Sequence, residues 1–245
     1  MEKRTPSFLV VIPSRLSSTR LQRKPLVSIL GKTLIQRTCE QVEKAVSREN
    51  FLVATDSTEI FEHIESLGYR AMMTSDKCLT GTDRVAEIAS ATEYDYYINV
   101  QGDEPLINPE DIKKVISKIA EHPWDVINGY AAILDGDEYR SRSIPKVVFR
   151  PDGRLLYMSR APIPGSKTAD FQRAWRQICI YSFPKKLLIE FAVAGKKTVL
   201  EDVEDIEILR FLEMGYEVRM IPLSDISIAV DNPEDVDKVI KRLNE

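Results

Sequence analysis

Phe8-Leu9-Val10-Val11-Ile12-Pro13-Ser14-Arg15-Leu16-Ser17-Ser18-Thr19-Arg20-Leu21-Gln22-Arg23-Lys24-Pro25-Leu26 runs from a short apolar segment straight into a hydroxyl-rich, cationic loop. The apolar part, bounded by Pro13, reads as a buried sheet strand over residues 8–13. The ten residues from Arg15 to Lys24 hold four cations, Arg15, Arg20, Arg23 and Lys24, among three hydroxyls. Fixed positive charge beside hydroxyl and amide donors suits a polyphosphate, while a solvated basic loop is the plainer alternative.

A second segment answers the first. Tyr96-Tyr97-Ile98-Asn99-Val100 is a β-prone run that stops at Gln101-Gly102-Asp103-Glu104-Pro105. A carboxylate just past the C-terminal end of a strand lies where open α/β sheets bind ligands. Asp103 is therefore the first candidate ligand for Mg²⁺, a hard cation held by one or two carboxylates together with substrate phosphates. Near the other end, Ile226-Ser227-Ile228-Ala229-Val230-Asp231-Asn232-Pro233-Glu234-Asp235 repeats the pattern of apolar run, Asp and helix start. Asp231 is the second candidate ligand; it also reads as part of a helix N-terminus with Pro233 early in the helix.

The rest of the chain alternates. Residues 8–13, 51–55, 96–100, 125–133, 177–182, 217–221 and 226–230 read as strands, and 31–46, 57–67, 82–91, 109–120, 184–193, 202–214 and 233–243 as helices. Such alternation predicts an α/β fold, a mostly parallel sheet with helices on both faces. The proline-rich stretch from Ser143 to Ser166, around the turn Pro151-Asp152-Gly153-Arg154, breaks the rhythm. The expected organisation is one domain, 1–245, to which 143–183 contributes a projecting subdomain.

Composition narrows the classes. With 245 residues and 43% hydrophobic content the chain can bury a sizeable core. A net charge of −4 argues against a nucleic-acid surface, and no apolar run approaches a membrane span. Cys39, Cys78 and Cys179 are scattered without CxxC spacing, which suits buried thiols in a reducing, cytoplasmic setting. Only His63 and His122 are present, so a three-histidine zinc site is excluded.

Six motifs in order resemble the 3-deoxy-manno-octulosonate (Kdo) cytidylyltransferases, which couple CTP to Kdo for lipopolysaccharide synthesis. They are Ile12-Pro13-Ser14-Arg15 with Ser18-Thr19-Arg20-Leu21 and Lys24-Pro25-Leu26; Val53-Ala54-Thr55-Asp56; Thr80-Gly81-Thr82-Asp83-Arg84; Asn99-Val100-Gln101-Gly102-Asp103-Glu104-Pro105; Ser159-Arg160-Ala161; and Val230-Asp231 with Pro233-Glu234-Asp235. Each string is weak alone; the ordered set is specific. The resemblance implies a nucleotide-diphosphosugar transferase fold with a β-containing dimerisation subdomain and a homodimer, with Phe149, Phe171 and Trp175 as candidate contacts or else core residues. It implies a catalytic set of Lys24, Arg15, Asp103 and Asp231, with Mg²⁺ on the two aspartates. Pro13, Ser14, Arg15, Arg20, Lys24, Thr80, Thr82 and Gln101 would bind the nucleotide, and Arg84, Arg160, Gln177, Tyr181, Glu204 and Glu207 the eight-carbon sugar acid.

The sugar side departs from the family pattern. Where the family commonly reads Arg-His-Leu-Gly-Ile-Tyr-Gly-Tyr, this chain reads Arg176-Gln177-Ile178-Cys179-Ile180-Tyr181-Ser182-Phe183. Ile208 stands where a glutamine usually follows Glu207, and Ala229 replaces a glycine. An edited sugar pocket beside retained carboxylates points to the 8-amino analogue of Kdo as acceptor, with ordinary Kdo as the alternative. CMP-sialic acid synthesis and a non-catalytic nucleotide-binding regulator are the further alternatives.

Overall fold

The computed structural model describes residues 6–18, 20–168 and 170–245; Thr19 of the loop motif lies outside them. In chain order the elements are β1 (Phe8–Ser14), β2 (Ser28–Ile29), β3 (Lys32–Thr33), α1 (Leu34–Ala45), β4 (Phe51–Thr55), α2 (Thr58–Ser66), β5 (Ala71–Met73), α3 (Gly81–Ala91), β6 (Tyr96–Val100), α4 (Pro109–Lys118), β7 (Val126–Ile133), α5 (Gly136–Arg140), β8 (Lys146–Phe149), β9 (Leu155–Ser159), β10 (Ala174–Pro184), α6 (Lys185–Val193), α7 (Val199–Glu204), α8 (Ile208–Glu213), β11 (Val218–Pro222) and α9 (Pro233–Leu243).

The main sheet follows the order β11-β7-β10-β6-β1-β4-β5, and β8 joins it through β10, with β9 on β8. Four pairings are parallel, β1 with β4 and β6, β4 with β5, and β11 with β7. The long strand β10 runs antiparallel to β6 and β7. Alternate residues of β1 show why the strand is wholly apolar. Leu9 and Val11 belong to one core cluster with Val85 and Ile88 of α3, Phe191 of α6 and Leu209 of α8, whereas Val10 and Ile12 belong to the other with Ile35 of α1 and Ile112 of α4. A strand covered on both faces needs no polar side. The aromatics considered for a dimer contact are engaged within the chain: Phe149 lies 4.3 Å from Tyr130 and 5.1 Å from Trp175, ring to ring, and Phe171 5.4 Å from Tyr139.

Three of the expected elements differ from the sequence reading, and β5 and α5 were not expected. The helix expected from residue 31 starts at Leu34, because Leu30 (φ 47°) and Gly31 (φ 79°) form a left-handed two-residue turn between β2 and β3. The helix expected over 202–214 is two helices, broken where Asp205 takes φ 51°. Residues 226–230 are not a strand. The segment 223–231 is instead a strap held by Ser224, Asp225 and Ser227, and its Val230 N–H donates to the Asp103 carbonyl at 2.9 Å.

Candidate active site

β1 sits between β6 and β4, so the chain crosses over on either side of it and a crevice opens beyond the strand ends. Because β1 and β6 are parallel, with Val11 opposite Asn99, Pro13 and Ser14 emerge beside Gln101, Gly102 and Asp103. The two ends touch closely. A Cβ added at Gly102 would lie 2.8 Å from the Pro13 carbonyl oxygen.

A cleft of about 570 Å³ opens there. Its charged floor is formed by Lys24, whose Nζ donates to Asp103 Oδ2 at 2.6 Å and to Asp231 Oδ1 at 3.1 Å. Arg20 reaches the same Asp231 oxygen at 2.9 Å. Burial alone would depress the Lys24 ammonium, but the two carboxylates outweigh it and hold its pKa above the ordinary value. The strap makes this convergence. Asp111 accepts from the Ser224 N–H, Asp225 pairs with Arg176 at 2.6 Å, and Ser227 donates to Glu104. Glu104 is buried behind the floor, and that burial together with the Asp103 charge pushes its pKa up to about 7.

The wall opposite is the first turn of α3. Thr80 caps the helix by accepting from the Asp83 N–H at 3.2 Å, and Thr80 and Gly81 line the cleft. Arg84 also faces it, fixed by Asp56 at 2.9 Å and by the Thr74 hydroxyl. Glu207 borders the cleft with a carboxylate already engaged by the Gly81 N–H at 3.1 Å, the Thr82 N–H at 2.9 Å and the Thr82 hydroxyl.

Of the residues singled out in the sequence, Pro13, Ser14, Arg15, Arg20, Lys24, Thr80, Arg84, Gln101, Asp103, Glu207 and Asp231 share this cleft. The others do not line it. Thr82 is buried beneath Glu207. Gln177 turns into the sheet and donates to Asn128, which in turn donates to the carbonyls of Ile178 and Ile180 where β10 bulges. Tyr181 is buried against Phe183, ring to ring at 5.8 Å. Glu204 accepts from Ser159 and from the Arg160 N–H, while the Arg160 guanidinium donates back to the carbonyls of Glu204 and Asp205. Two charged cleft residues were missed, Lys197 and Asp205, paired at 2.7 Å. Gly195 ahead of α7 was the one turn signal there, and the left-handed Asp205 at its other end carries none that a sequence shows.

Among the described residues no group of three or more His, Cys, Asp or Glu could hold a metal ion. Asp103 and Asp231 nevertheless share one ammonium, the donor set that a hard cation uses when phosphates complete its shell. Among the described residues no helix is long and apolar enough to cross a membrane.

Comparison with known proteins agrees in extent as well as in kind. The chain is 38% identical to the 3-deoxy-manno-octulosonate cytidylyltransferase of Protochlamydia amoebophila, over 96% of this chain and 93% of that one. It is 37% identical to the enzyme of the same name from Syntrophotalea carbinolica, over 95% and 97% of the two chains. A solved structure of CMP:2-keto-3-deoxy-manno-octonic acid synthetase complexed with CTP superposes with a TM-score of 0.89 at 31% identity, covering 97% of this chain and 98% of that one. The family model described as cytidylyltransferase matches residues 9–221, and the chain belongs to that family.

Proposed function

We propose that this protein transfers the cytidylyl group of CTP to the anomeric hydroxyl of Kdo, releasing pyrophosphate. The observation that carries the reading is the convergence of Lys24, Asp103 and Asp231 beside the ends of β1 and β6, in a cleft that also holds Arg15 and Arg20. In the reaction the anomeric oxygen bonds to the α-phosphorus, the bond to the bridging α,β-oxygen breaks, and the hydroxyl proton passes to solvent. Alignment and charge do most of such work. Arg15 and Arg20 would neutralise the triphosphate, and Lys24, released from the carboxylates, would face the charge developing at the α-phosphoryl oxygens. Asp103 and Asp231 would hold Mg²⁺, which when bound polarises the phosphoryl oxygen and lowers the pKa of the attacking hydroxyl.

The 8-amino analogue of Kdo is the second acceptor. Its basis is the sequence alone, Gln177 and Ile208 in place of the family's histidine and glutamine, and neither residue lines the cleft. Against it stands the state of the glutamates, since Glu204 and Glu207 each already accept three donors. Pyrophosphate release from CTP and Mg²⁺, with Kdo and the 8-amino sugar side by side, tests both. Preference for Kdo is expected; a strong preference for the amine would transfer the assignment, and silence with both would favour a nucleotide-binding regulator.

A further inference from the structure

The acidic run from Glu201 to Arg210 contains one side chain that lines no part of the cleft yet connects to its wall. Arg210 is fully buried. Its Nε and Nη2 donate to the two oxygens of Glu201, each at 2.6 Å, and its Nη1 donates to Asp83 Oδ1 at 2.8 Å. The guanidinium lies 3.6 Å over the Phe191 ring. Asp83 carries the link onward, because its Oδ2 accepts from the Thr80 hydroxyl at 2.7 Å. Three residues before Arg210, Glu207 holds the Gly81 and Thr82 N–H groups. The first turn of α3 is therefore gripped at two points by one short segment. That turn fits tightly against the strand ends: a Cβ on Gly81 would meet Pro13 and Gln101 at 3.4 Å.

A buried cation between two carboxylates is a poor source of stability, since apolar packing of equal volume often does as well. It is a good source of geometry, because a planar guanidinium fixes its partners in direction as well as distance. We infer that Arg210 is a positioning residue for the nucleotide: through Asp83 and Thr80 it sets the place of the Thr80-Gly81 turn against Pro13 and Gln101. The inference rests on the reading of the cleft as a CTP site. Small displacements of a binding wall lower affinity well before they unfold a domain.

Asp83→Asn is the informative variant, because it removes the charge from this link while leaving the paired Arg210 and Glu201 in place. Arg210→Lys, whose compact ammonium cannot span both acids, is the companion. CTP affinity by calorimetry, with unfolding temperature and circular dichroism on the same samples, separates position from stability. The expected result is CTP binding weakened about five- to tenfold in both variants, with native spectra, and a KM for CTP that rises more than kcat falls. Unchanged CTP affinity in a folded Asp83→Asn protein would overturn the inference. Failure of the wild-type protein to bind CTP would instead overturn the reading of the cleft, and this inference with it.

Discussion

Glu204 and Glu207 stand three residues apart, each with three hydrogen-bond donors, and their acidities move in opposite directions. Burial lifts Glu207, and its Thr82 and Gly81 donors offset only part of that. At Glu204 burial is outweighed by Ser159, the Arg160 N–H and Tyr157, which hold its carboxyl below the usual carboxylate range. The depressed pKa gives the sign of its pH dependence: the stability it contributes is present above the ordinary carboxylate pKa and is lost as pH falls through the lower folded value. Glu204→Gln should therefore destabilise the fold by about 1–3 kcal/mol at pH 7 by leaving donors of β9 poorly matched. In urea unfolding the gap from wild type should narrow as the buffer is taken well into the acid range. A gap that widened in acid would show that these donors prefer the neutral side chain.

At the scale of elements, the site depends on how closely the ends of β1 and β6 approach. Gly102 allows this by lacking a Cβ, since one would press at 2.8 Å on the Pro13 carbonyl oxygen and at 3.2 Å on Ile35 of α1. Backbone cannot swing aside as a side-chain tip can, so Gly102→Ala should cost about 1–3 kcal/mol and raise the KM for CTP. Urea unfolding with steady-state kinetics checks both, and a variant with wild-type stability would mean that the strand ends have slack. The residues around these strand ends were legible in the sequence because β1, β4 and β6 are apolar runs ending in polar turns. Asp103 follows from that pattern at the end of β6 and Lys24 from the cationic loop after β1, whereas Asp231 was reached through an expected strand over 226–230 that does not form. The break between α7 and α8 was not legible, because a non-glycine residue, Asp205, takes the left-handed conformation there. Lys197 was hidden for the same reason: it enters the cleft only because of how α6, α7 and the turn at Asp205 are placed. The apolar alternation of 226–230 misled, since side-chain hydrogen bonds and an ion pair, rather than a sheet ladder, hold the strap.

Across the whole molecule, the two carboxylates of the floor lie 128 residues apart, and the strap is what brings them together. Its attachments come from separate elements: Asp111 on α4, Arg176 on β10 and Glu104 after β6. Arg176 ties the strap to a long central strand through charge, pairing with Asp225 at 2.6 Å and with Glu138 at 3.3 Å. If the strap places Asp231 and the two aspartates hold Mg²⁺ as proposed, loosening it should weaken their grip on the cation while leaving Asp103 where it is. Arg176→Gln keeps polarity and approximate length but removes the charge. The expected outcome is a rise of about three- to tenfold in the Mg²⁺ concentration giving half-maximal pyrophosphate release, with most of kcat recovered at high Mg²⁺. Recovery distinguishes a displaced ligand from a damaged fold, because added metal cannot refold protein. A Mg²⁺ profile identical to that of the wild type would mean that Asp111, Glu104 and the Val230 N–H bond to Asp103 suffice to place Asp231.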